Sequence, residues 1–255
     1  MKADKIWQLG LIGFPLSHSY SPILHQTALE YLGLKGTYRL FSLSDPNQIS
    51  GVVQRLRDGE LDGINVTIPY KQEVINHLDG LTNAAQTIGA VNTIYHHGDK
   101  LIGDNTDASG FYYDLLGCLK GSEFVKKNAL VLGSGGSAHA IAFALLGNGW
   151  SVTVTARRMA QSQALAQKFD NPQLYTTDWD SLNQSAFLKK FRLLINTTPV
   201  GMYPEVENNP IPDGTEFPQG MVVYDLICNP QETALMKLAR QGGLQAFNGL
   251  GMLVN

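Results

Sequence analysis

Short apolar segments alternate with segments of helical periodicity along most of this chain of 255 residues. Strands are predicted at IWQLGLIG, TYRLFSL and LDGINVTI, followed by a hairpin at AVNTIYHHGDKLIG. Helices are predicted between them, over residues 21–32, 45–57 and 70–78. Strands that alternate with helices of this length are typical of parallel sheets joined by right-handed crossovers. The pattern therefore predicts an α/β fold.

A second series of the same kind begins after a helix predicted over residues 106–120. Its strands are predicted at NALVLG, SVTVTAR, QLYTT, RLLINTT and MVVYDLI. The helix HAIAFALLGNG follows the first of these strands, and further helices are predicted over residues 160–169, 179–189 and 231–241. Two series that each start anew predict two domains.

We place the boundary between the domains near residue 105. The first domain is predicted to span residues 1–105 and to regain residues 242–255 at the end of the chain, and the second to span residues 106–241. Residues 203–219 contain four prolines and are predicted as one long irregular loop, a candidate mobile flap.

Composition narrows the classes of partner. A net charge of -3 without a long charged block gives no electrostatic case for nucleic acid or a membrane surface, so small molecules are the expected ligands. The apolar stretch at the start of the chain is too short for a secretory signal, and no apolar segment approaches the length of a membrane span. The two cysteines, Cys118 and Cys228, favour a reducing cytoplasm, and six scattered histidines predict no metal site. The sequence leaves the oligomeric state open.

The segment ALVLGSGGSA matches a dinucleotide-binding turn. Gly133, Gly135 and Ala138 follow an apolar strand and precede a helix, in the spacing G-x-G-x-x-A. The first glycine permits the tight turn, the second lets a pyrophosphate approach the backbone, and the small third residue allows close packing of the helix. The helix N-terminus then offers amides to the phosphates. The alternative is an ordinary tight turn.

Two arginines follow the second strand of this series. NAD-binding domains carry an acidic residue in this region, whereas the segment TVTARRM supplies Arg157 and Arg158. Guanidinium groups suit a 2′-phosphate by charge and geometry, so the pair favours NADP over NAD. A solvated arginine pair at a strand end is the alternative.

The segment GFPLSHSYSPILHQ carries three serines where the first strand leads into a helix. Ser21 before Pro22 is predicted as the N-cap, with proline at the first helical position. One serine suffices for capping, so Ser17 and Ser19 are left as candidate ligand contacts or structural hydroxyls.

Polar side chains also lie at three other predicted strand ends of the first domain. They are Asn65, Thr67 and Lys71 in INVTIPYKQ, Asn92 in GAVNTI, and Asn105, Thr106 and Asp107 in GDNTDASG. Ligands of open α/β sheets gather at the carboxyl ends of strands. The set predicts a polyhydroxylated ligand, with a lysine and a carboxylate to move a proton. A surface lysine and a helix cap at Thr106 or Asp107 are the alternatives.

Eight motifs in chain order give a family resemblance. The segments HSYSP, NVTIPYK, GAVNT, GDNTD, LGSGGSA, INTTPVGM, YDLICNP and NGLGML resemble shikimate dehydrogenases from about residue 10 to the C-terminus. The resemblance implies an N-terminal α/β substrate-binding domain and a Rossmann-type, doubly wound NADP-binding domain. It also implies reversible reduction of 3-dehydroshikimate to shikimate by NADPH.

The resemblance further implies a role for particular residues. Lys71, paired with Asp107, matches the catalytic lysine. The substrate carboxylate is implied to contact Ser19 and Ser21, while Ser17 has no counterpart. The remaining substrate contacts implied are Asn65, Thr67, Asn92, Asp107 and Tyr224. The cofactor contacts implied are Gly133, Gly135, Gly136, Ser137, Arg157, Arg158 and Thr197, with Gly249 and Met252 beside the nicotinamide.

Two departures from the family pattern stand out. Ala156 and Arg158 replace an asparagine and a hydroxyl residue that flank the arginine, which puts the strength of the NADP preference in question. The sequence ends at Asn255, just before a glutamine that contacts substrate in the family and a closing helix. If the molecule ended there, weaker substrate binding would be expected.

Two other functions remain open. A quinate or dual quinate/shikimate dehydrogenase shares every motif, although Ser21 favours shikimate, because a threonine or glycine there leaves room for the extra hydroxyl of quinate. A non-catalytic NADP-binding regulator would bind cofactor without transferring hydride. The presence of both Lys71 and Asp107 argues against it.

Overall fold

Two six-stranded sheets, each with helices packed against it, make up the computed structural model. It describes residues 5–119, 126–184, 186–212 and 214–255. The chain divides into a first unit, Met1–Thr106, and a second unit, Asp107–Asn255. The predicted α/β class is confirmed.

The first unit contains a mixed sheet. Its elements are β1 (Ile6–Gly13), α1 (Ser21–Tyr31), β2 (Lys35–Ser42), α2 (Ile49–Arg57), β3 (Gly63–Val66), β4 (Gly80–Leu81), α3 (Asn83–Ile88), β5 (Thr93–His97) and β6 (Lys100–Asp104). The strand order is β2-β1-β3-β5-β6-β4. β1 lies parallel to β2 and β3, as the alternating pattern predicts, and β5 and β6 form the predicted antiparallel hairpin.

Apolar residues of α2 anchor that helix on the sheet. Ile49, Val52, Val53 and Leu56 recur at helical spacing and are all buried. They belong to one core with Ile12 of β1 and with Ile64 and Val66 of β3. This packing fixes the strands whose carboxyl ends carry the polar segments singled out above.

The second unit contains a wholly parallel sheet. Its elements are α4 (Asp107–Cys118), β7 (Asn128–Leu132), α5 (Gly136–Gly147), β8 (Ser151–Thr155), α6 (Met159–Phe169), β9 (Leu174–Thr177), β10 (Leu193–Asn196), β11 (Val222–Asp225), α7 (Ala234–Gln241), β12 (Gln245–Asn248) and α8 (Leu250–Val254). The order β9-β8-β7-β10-β11-β12 places the strands as 3-2-1-4-5-6 of the series. This is the order of doubly wound dinucleotide-binding sheets, so the predicted Rossmann-type topology is confirmed.

Several predicted elements differ from those observed. The helix predicted over residues 70–78 is only a short 3₁₀ helix, Glu73–His77, and β4 and α3 after it were not predicted. The helix predicted over residues 179–189 is replaced by the 3₁₀ helices Trp179–Asn183 and Leu188–Lys190. Asp178 accepts hydrogen bonds from the amide and the hydroxyl of Ser181, which closes a tight turn in place of a longer helix. Residue 120, at the end of the predicted helix over residues 106–120, lies outside the described residues.

The C-terminal segment belongs to the second unit. The sequence analysis assigns residues 242–255 to the first domain, but Gln245–Asn248 forms β12 and pairs in parallel with β11. An apolar segment after α7 is long enough to add a sixth strand, and this pairing satisfies its backbone groups. The described parts of the 203–219 loop contain no helix or strand, and Ile211 within it is buried in the core.

A buried carboxylate connects three elements of the second unit. Asp225, at the end of β11, accepts hydrogen bonds from the Asn196 side chain at 3.0 Å, from the Thr233 hydroxyl at 2.7 Å and from the Ile227 amide at 3.1 Å. Thr233 in turn caps α7. Burial raises the pKa of Asp225 to about 6, because desolvation outweighs the three hydrogen bonds that favour the charged form.

Stability should therefore depend on pH through Asp225. A carboxyl whose pKa is higher in the folded than in the unfolded state adds stability at low pH and loses it as pH rises through the folded value. Between pH 7 and pH 5, the free energy of unfolding of the wild type should rise by about 1 kcal/mol relative to Asp225→Asn, which cannot titrate. Urea denaturation of both proteins at the two pH values measures this effect. Equal changes in the free energy of unfolding of both proteins would contradict the raised pKa of Asp225.

Candidate active site

The carboxyl edge of the second sheet collects most of the predicted cofactor residues. Because all six strands run in parallel, the segments after β7, β8, β10, β11 and β12 leave the sheet at the same edge. β7 and β10 lie side by side, although they are not consecutive in the chain. A crevice forms at such a switch point in open α/β sheets, and ligands bind there.

The turn after β7 depends on the absence of a side chain at Gly133. This residue has φ +110°, and a Cβ built on it would lie 2.5 Å from the Thr197 hydroxyl oxygen. The Gly133 amide donates to the carbonyl of Thr155 at 2.8 Å, and the Thr197 hydroxyl donates to the carbonyl of Leu132 at 2.7 Å. Gly133 and Thr197, both predicted cofactor contacts, are therefore neighbours across the switch point.

The first turn of α5 faces open space on one side. Gly135 is the N-cap and is exposed, and a Cβ added to it would meet no atom within 4 Å. Gly136 and Ser137 follow as the first helical residues and are half-buried. No side chain of the described residues caps this helix. The first-turn amides and the partial positive charge of the helix are thus arranged as an anion site requires.

Thr155 supplies an independent sign of a missing partner. Its hydroxyl oxygen lies at the end of β8, is fully buried, and has no hydrogen-bond partner among the described residues. Buried hydroxyl groups without partners are rare, because each one costs free energy. Its neighbour Ala156 is buried, while the predicted pair Arg157 and Arg158 is exposed at the start of α6.

Tyr224 does not lie where the resemblance implied. It is a residue of β11, is 0% exposed, and its hydroxyl donates to a carboxylate oxygen of Asp114 on α4 at 2.6 Å. Phe111 packs edge-on against its ring, with centroids 5.1 Å apart. Tyr224 points into the second unit because α4 covers that face of β11, so the assignment of Tyr224 as a substrate contact is wrong.

The predicted nicotinamide-side residues lie after β12. Gly249 is the buried N-cap of α8, and a Cβ there would overlap the carbonyl of Leu226 in the segment after β11. Met252 is a half-buried residue within α8. Both therefore lie near the carboxyl edge of the sheet that carries the glycine turn.

In the first unit, the predicted serine pair lies at the start of α1. Helix α1 begins at Ser21 and its N-cap is Tyr20, so the predicted cap at Ser21 is wrong by one residue. The Ser19 hydroxyl accepts from the Ser21 amide at 3.2 Å and so takes over part of the capping role. Ser17 is exposed, whereas Ser19 and Ser21 are half-buried.

A chain of hydrogen bonds joins two of the predicted substrate residues of the first unit, Asn65 and Asn92. The Tyr38 hydroxyl donates to Asn65 at 2.9 Å. Asn65 donates to the carbonyl of Asn92 at 3.3 Å, and Asn92 donates to the Thr106 hydroxyl at 2.9 Å. The structure thus brings residues from four separate segments into one polar cluster.

Two residues at this cluster, Tyr38 and His25, were not predicted from the sequence. Tyr38 lies within an ordinary strand pattern, and its partner Asn65 is distant in the chain, so no local signal marks it. His25 stacks on its ring with centroids 4.4 Å apart and planes 6° apart. Burial raises the pKa of Tyr38 and lowers the pKa of His25, so both rings are neutral near pH 7.

Thr67 and Lys71 follow β3 at its carboxyl end. The Thr67 amide donates to the carbonyl of Ile12, which fixes the segment beside β1. Lys71 is half-buried, and its carbonyl accepts from the Val91 amide at 2.6 Å. Asp107 is the first residue of α4 and belongs to the second unit, so its pairing with Lys71 stays a prediction.

Comparison with known proteins identifies the family. A family model described as "Shikimate dehydrogenase substrate binding domain" matches residues 11–94. A protein of Caldanaerobacter subterraneus subsp. tengcongensis named "Shikimate dehydrogenase (NADP(+))" is 40% identical over 100% of this chain and 90% of its own length. The chain belongs to the shikimate dehydrogenase family. The resemblance noted from its motifs is thereby confirmed.

Solved structures of the shikimate dehydrogenase family share the whole fold. That of the Thermus thermophilus enzyme in complex with NADP(H) and shikimate has a TM-score of 0.83 and 36% identity, and the match covers 97% of this chain and 89% of that one. A quinate dehydrogenase from Corynebacterium glutamicum in complex with NAD has a TM-score of 0.84 at 27% identity, with 97% and 89% covered. The fold is therefore common to shikimate and quinate dehydrogenases.

Two further observations concern the described residues alone. None of their helices is long and apolar enough to cross a membrane. Within the same parts of the chain, no three histidine, cysteine, aspartate or glutamate side chains are grouped as metal ligands would be.

Alanine substitutions at Gly133 and Gly135 should have different effects on stability. Gly133→Ala should lower the free energy of unfolding by about 2 kcal/mol or more, because φ +110° is strained for alanine and Thr197 leaves no room. Gly135→Ala, the matched control, has φ -79° and open space, and should stay within about 1 kcal/mol of wild type. Urea denaturation measures both, and equal losses would contradict this account of the turn.

Proposed function

We propose that this chain is an NADP-dependent shikimate dehydrogenase, which reduces 3-dehydroshikimate reversibly to shikimate. The observation that carries the proposal is 40% identity, over the whole chain, with a protein named for that activity. The Thermus thermophilus relative was solved with NADP(H) and shikimate together. The low cysteine content supports the cytoplasm as its location.

The polar cluster of the first unit supports a polyhydroxylated, anionic substrate. Ser19 and Ser21 lie half-buried at the start of α1, where hydroxyl groups and helix amides suit a carboxylate. Asn65, Thr67 and Asn92 offer uncharged donors and acceptors for ring hydroxyls. Tyr38 donates to Asn65 and stacks on His25 of α1, so we add it as a residue that fixes Asn65 relative to α1.

The second unit fits a dinucleotide. Gly133 permits the turn, Gly135, Gly136 and Ser137 open a helix whose first amides face outward, and Thr155 has a buried hydroxyl that needs a partner. Arg157 and Arg158 follow β8, and Thr197 follows β10, the strands on either side of β7. Gly249 and Met252 follow β12 at the same edge of the sheet. When bound there, NADPH supplies the hydride for reduction of the ring ketone.

Proton transfer is the part of the reaction assigned to the chain itself. Reduction of a ketone to an alcohol needs a proton at the oxygen, and the ammonium group of Lys71 is the proposed donor. In the reverse direction its amine accepts the hydroxyl proton. Asp107 is proposed to hold the lysine in position. The remaining residues align the substrate and exclude water.

A quinate dehydrogenase activity is the second candidate, because a quinate dehydrogenase shares the fold. Quinate carries an extra hydroxyl, and Ser21 leaves less room for it than a smaller residue would. Initial rates of NADP⁺ and NAD⁺ reduction, measured in parallel with shikimate and with quinate, test both candidates. Turnover of shikimate with NADP⁺ supports the main proposal, while cofactor binding without turnover of either substrate would refute it.

Removal of the lysine should abolish most of the activity. Lys71→Ala should lower kcat by about 10²- to 10⁴-fold, with a much smaller change in the KM for shikimate, because an acid/base group is lost. Lys71→Arg should remain impaired, since a guanidinium keeps the charge but does not give up its proton. Lys35→Ala, which removes an exposed lysine of the same unit, is the control. A kcat near wild type for Lys71→Ala would refute the assignment.

The two exposed arginines should set the cofactor preference. Replacing Arg157 and Arg158 with alanine should raise the KM for NADP⁺ about 10- to 100-fold, because charge-assisted hydrogen bonds to the 2′-phosphate are lost. The KM for NAD⁺, which lacks that phosphate, should change by less than about 3-fold on the same reasoning. Lys189→Ala removes an exposed charge elsewhere in the unit and is the control. Equal losses for both cofactors would contradict the assignment.

A further inference from the structure

We propose that Tyr224 and Asp114 are positioning residues that fix helix α8, and with it the nicotinamide-side residues Gly249 and Met252. The inference rests on the function proposed above, which assigns those two residues to the cofactor. It gives Tyr224 a role in place of the substrate contact that the resemblance implied. All of the contacts involved lie within the second unit.

The Tyr224 hydroxyl holds the carboxylate against which α8 packs. It donates to a carboxylate oxygen of Asp114 on α4 at 2.6 Å, and a Cβ on Gly251 of α8 would overlap the same carboxylate. Tyr224 is 0% exposed, so water cannot take the place of Asp114 without a rearrangement. One hydroxyl group on β11 therefore fixes the group of α4 that α8 contacts.

The first turn of α8 is capped by the residue before its N-cap. Gly249 has no side chain, and the Leu250 amide donates to the side-chain oxygen of Asn248 at 3.1 Å. The Tyr224–Asp114 pair acts on the other side of the helix, where α8 packs against α4.

The backbone of α8 lies directly on α4. A Cβ on Gly251 would overlap the Asp114 carboxylate, and a Cβ on Gly110 of α4 would lie 2.7 Å from the carbonyl of Met252. Asp114 is held in this narrow space by Tyr224, and the Cys118 thiol lies 3.8 Å from the same carboxylate oxygen. Two glycines and a fixed carboxylate therefore define how close the two helices lie.

Helix α8 is too short to be stable by itself. It is five residues long, and none of its residues is buried. Helices of this length are unstable alone and depend on tertiary contacts. Because Gly249 and Met252 lie at its start and middle, loss of the Tyr224 contacts should displace these residues more than the glycine turn after β7.

The experiment compares two ligands that differ only at the nicotinamide. Dissociation constants for NADP⁺ and for 2′-phospho-ADP-ribose are measured by titration calorimetry, with the wild type and Tyr224→Phe. We expect Tyr224→Phe to weaken NADP⁺ binding by about 5- to 20-fold, because the loss of the buried hydrogen bond to Asp114 displaces α8. Binding of 2′-phospho-ADP-ribose should change by less than about 2-fold, since its contacts lie at the glycine turn and the arginines.

Tyr70→Phe is the matched control. Tyr70 is a buried tyrosine of the first unit whose hydroxyl donates to the Leu43 carbonyl at 2.6 Å. Its loss removes a comparable buried hydrogen bond, and it should leave the binding of both ligands unchanged. Equal weakening of both ligands by Tyr224→Phe, or no weakening of either, would overturn the proposal.

Variants of Asp114 keep the proposal testable if Tyr224→Phe does not fold. Asp114→Asn retains an oxygen that accepts from Tyr224 and should bind NADP⁺ within about 2-fold of wild type. Asp114→Ala removes the acceptor and should weaken NADP⁺ binding selectively and lower kcat, with the KM for shikimate unchanged. Equal behaviour of the two variants would overturn the role of the hydrogen bond.

Failure of the underlying function is separable from these outcomes. A wild type that does not oxidise shikimate with NADP⁺ would refute the proposed function itself. If the wild type is active, but no variant weakens the binding of NADP⁺ more than that of 2′-phospho-ADP-ribose, only the role given to α8 is refuted.

Discussion

The parallel direction of all six strands in the second unit is the constraint on which its candidate site depends. Parallel strands end at one edge, so residues far apart in the chain leave the sheet side by side. Gly133 and Thr197 meet there only because β7 and β10 are neighbours at the point where the strand order reverses. The Asn196–Asp225 hydrogen bond then fixes β10 and β11 at the same edge, directly beneath the segments that follow them.

Much of this architecture could be predicted from local patterns. Buried strands such as NALVL and LLIN are apolar almost throughout, and the glycine turn after β7 has the spacing that its geometry demands. Short elements were less predictable. The 3₁₀ helices near Trp179 depend on one side chain, Asp178, closing a turn, and β12 depends on a free edge at β11. Neither feature is encoded in the periodicity of the segment itself.

The candidate site, too, could be predicted only in part. Asn65, near the carboxyl end of β3, and Asn92, directly before β5, could be identified because polar residues at the ends of apolar strands are informative. Tyr38 could not, since its role comes from a partner on another strand. For Tyr224, the motif YDLICNP identified the residue but not the direction of its side chain. That direction depends on packing against α4, which lies outside the motif.

The close approach of α4 and α8 also limits how this part of the chain can diverge. Gly110 and Gly251 each face a group of the other helix at a distance that excludes even a methyl group. A larger residue at either position requires the helices to separate or Asp114 to become smaller. Positions 110 and 114 of α4 are therefore expected to covary with position 251 of α8 among relatives, although the two segments are far apart in the chain.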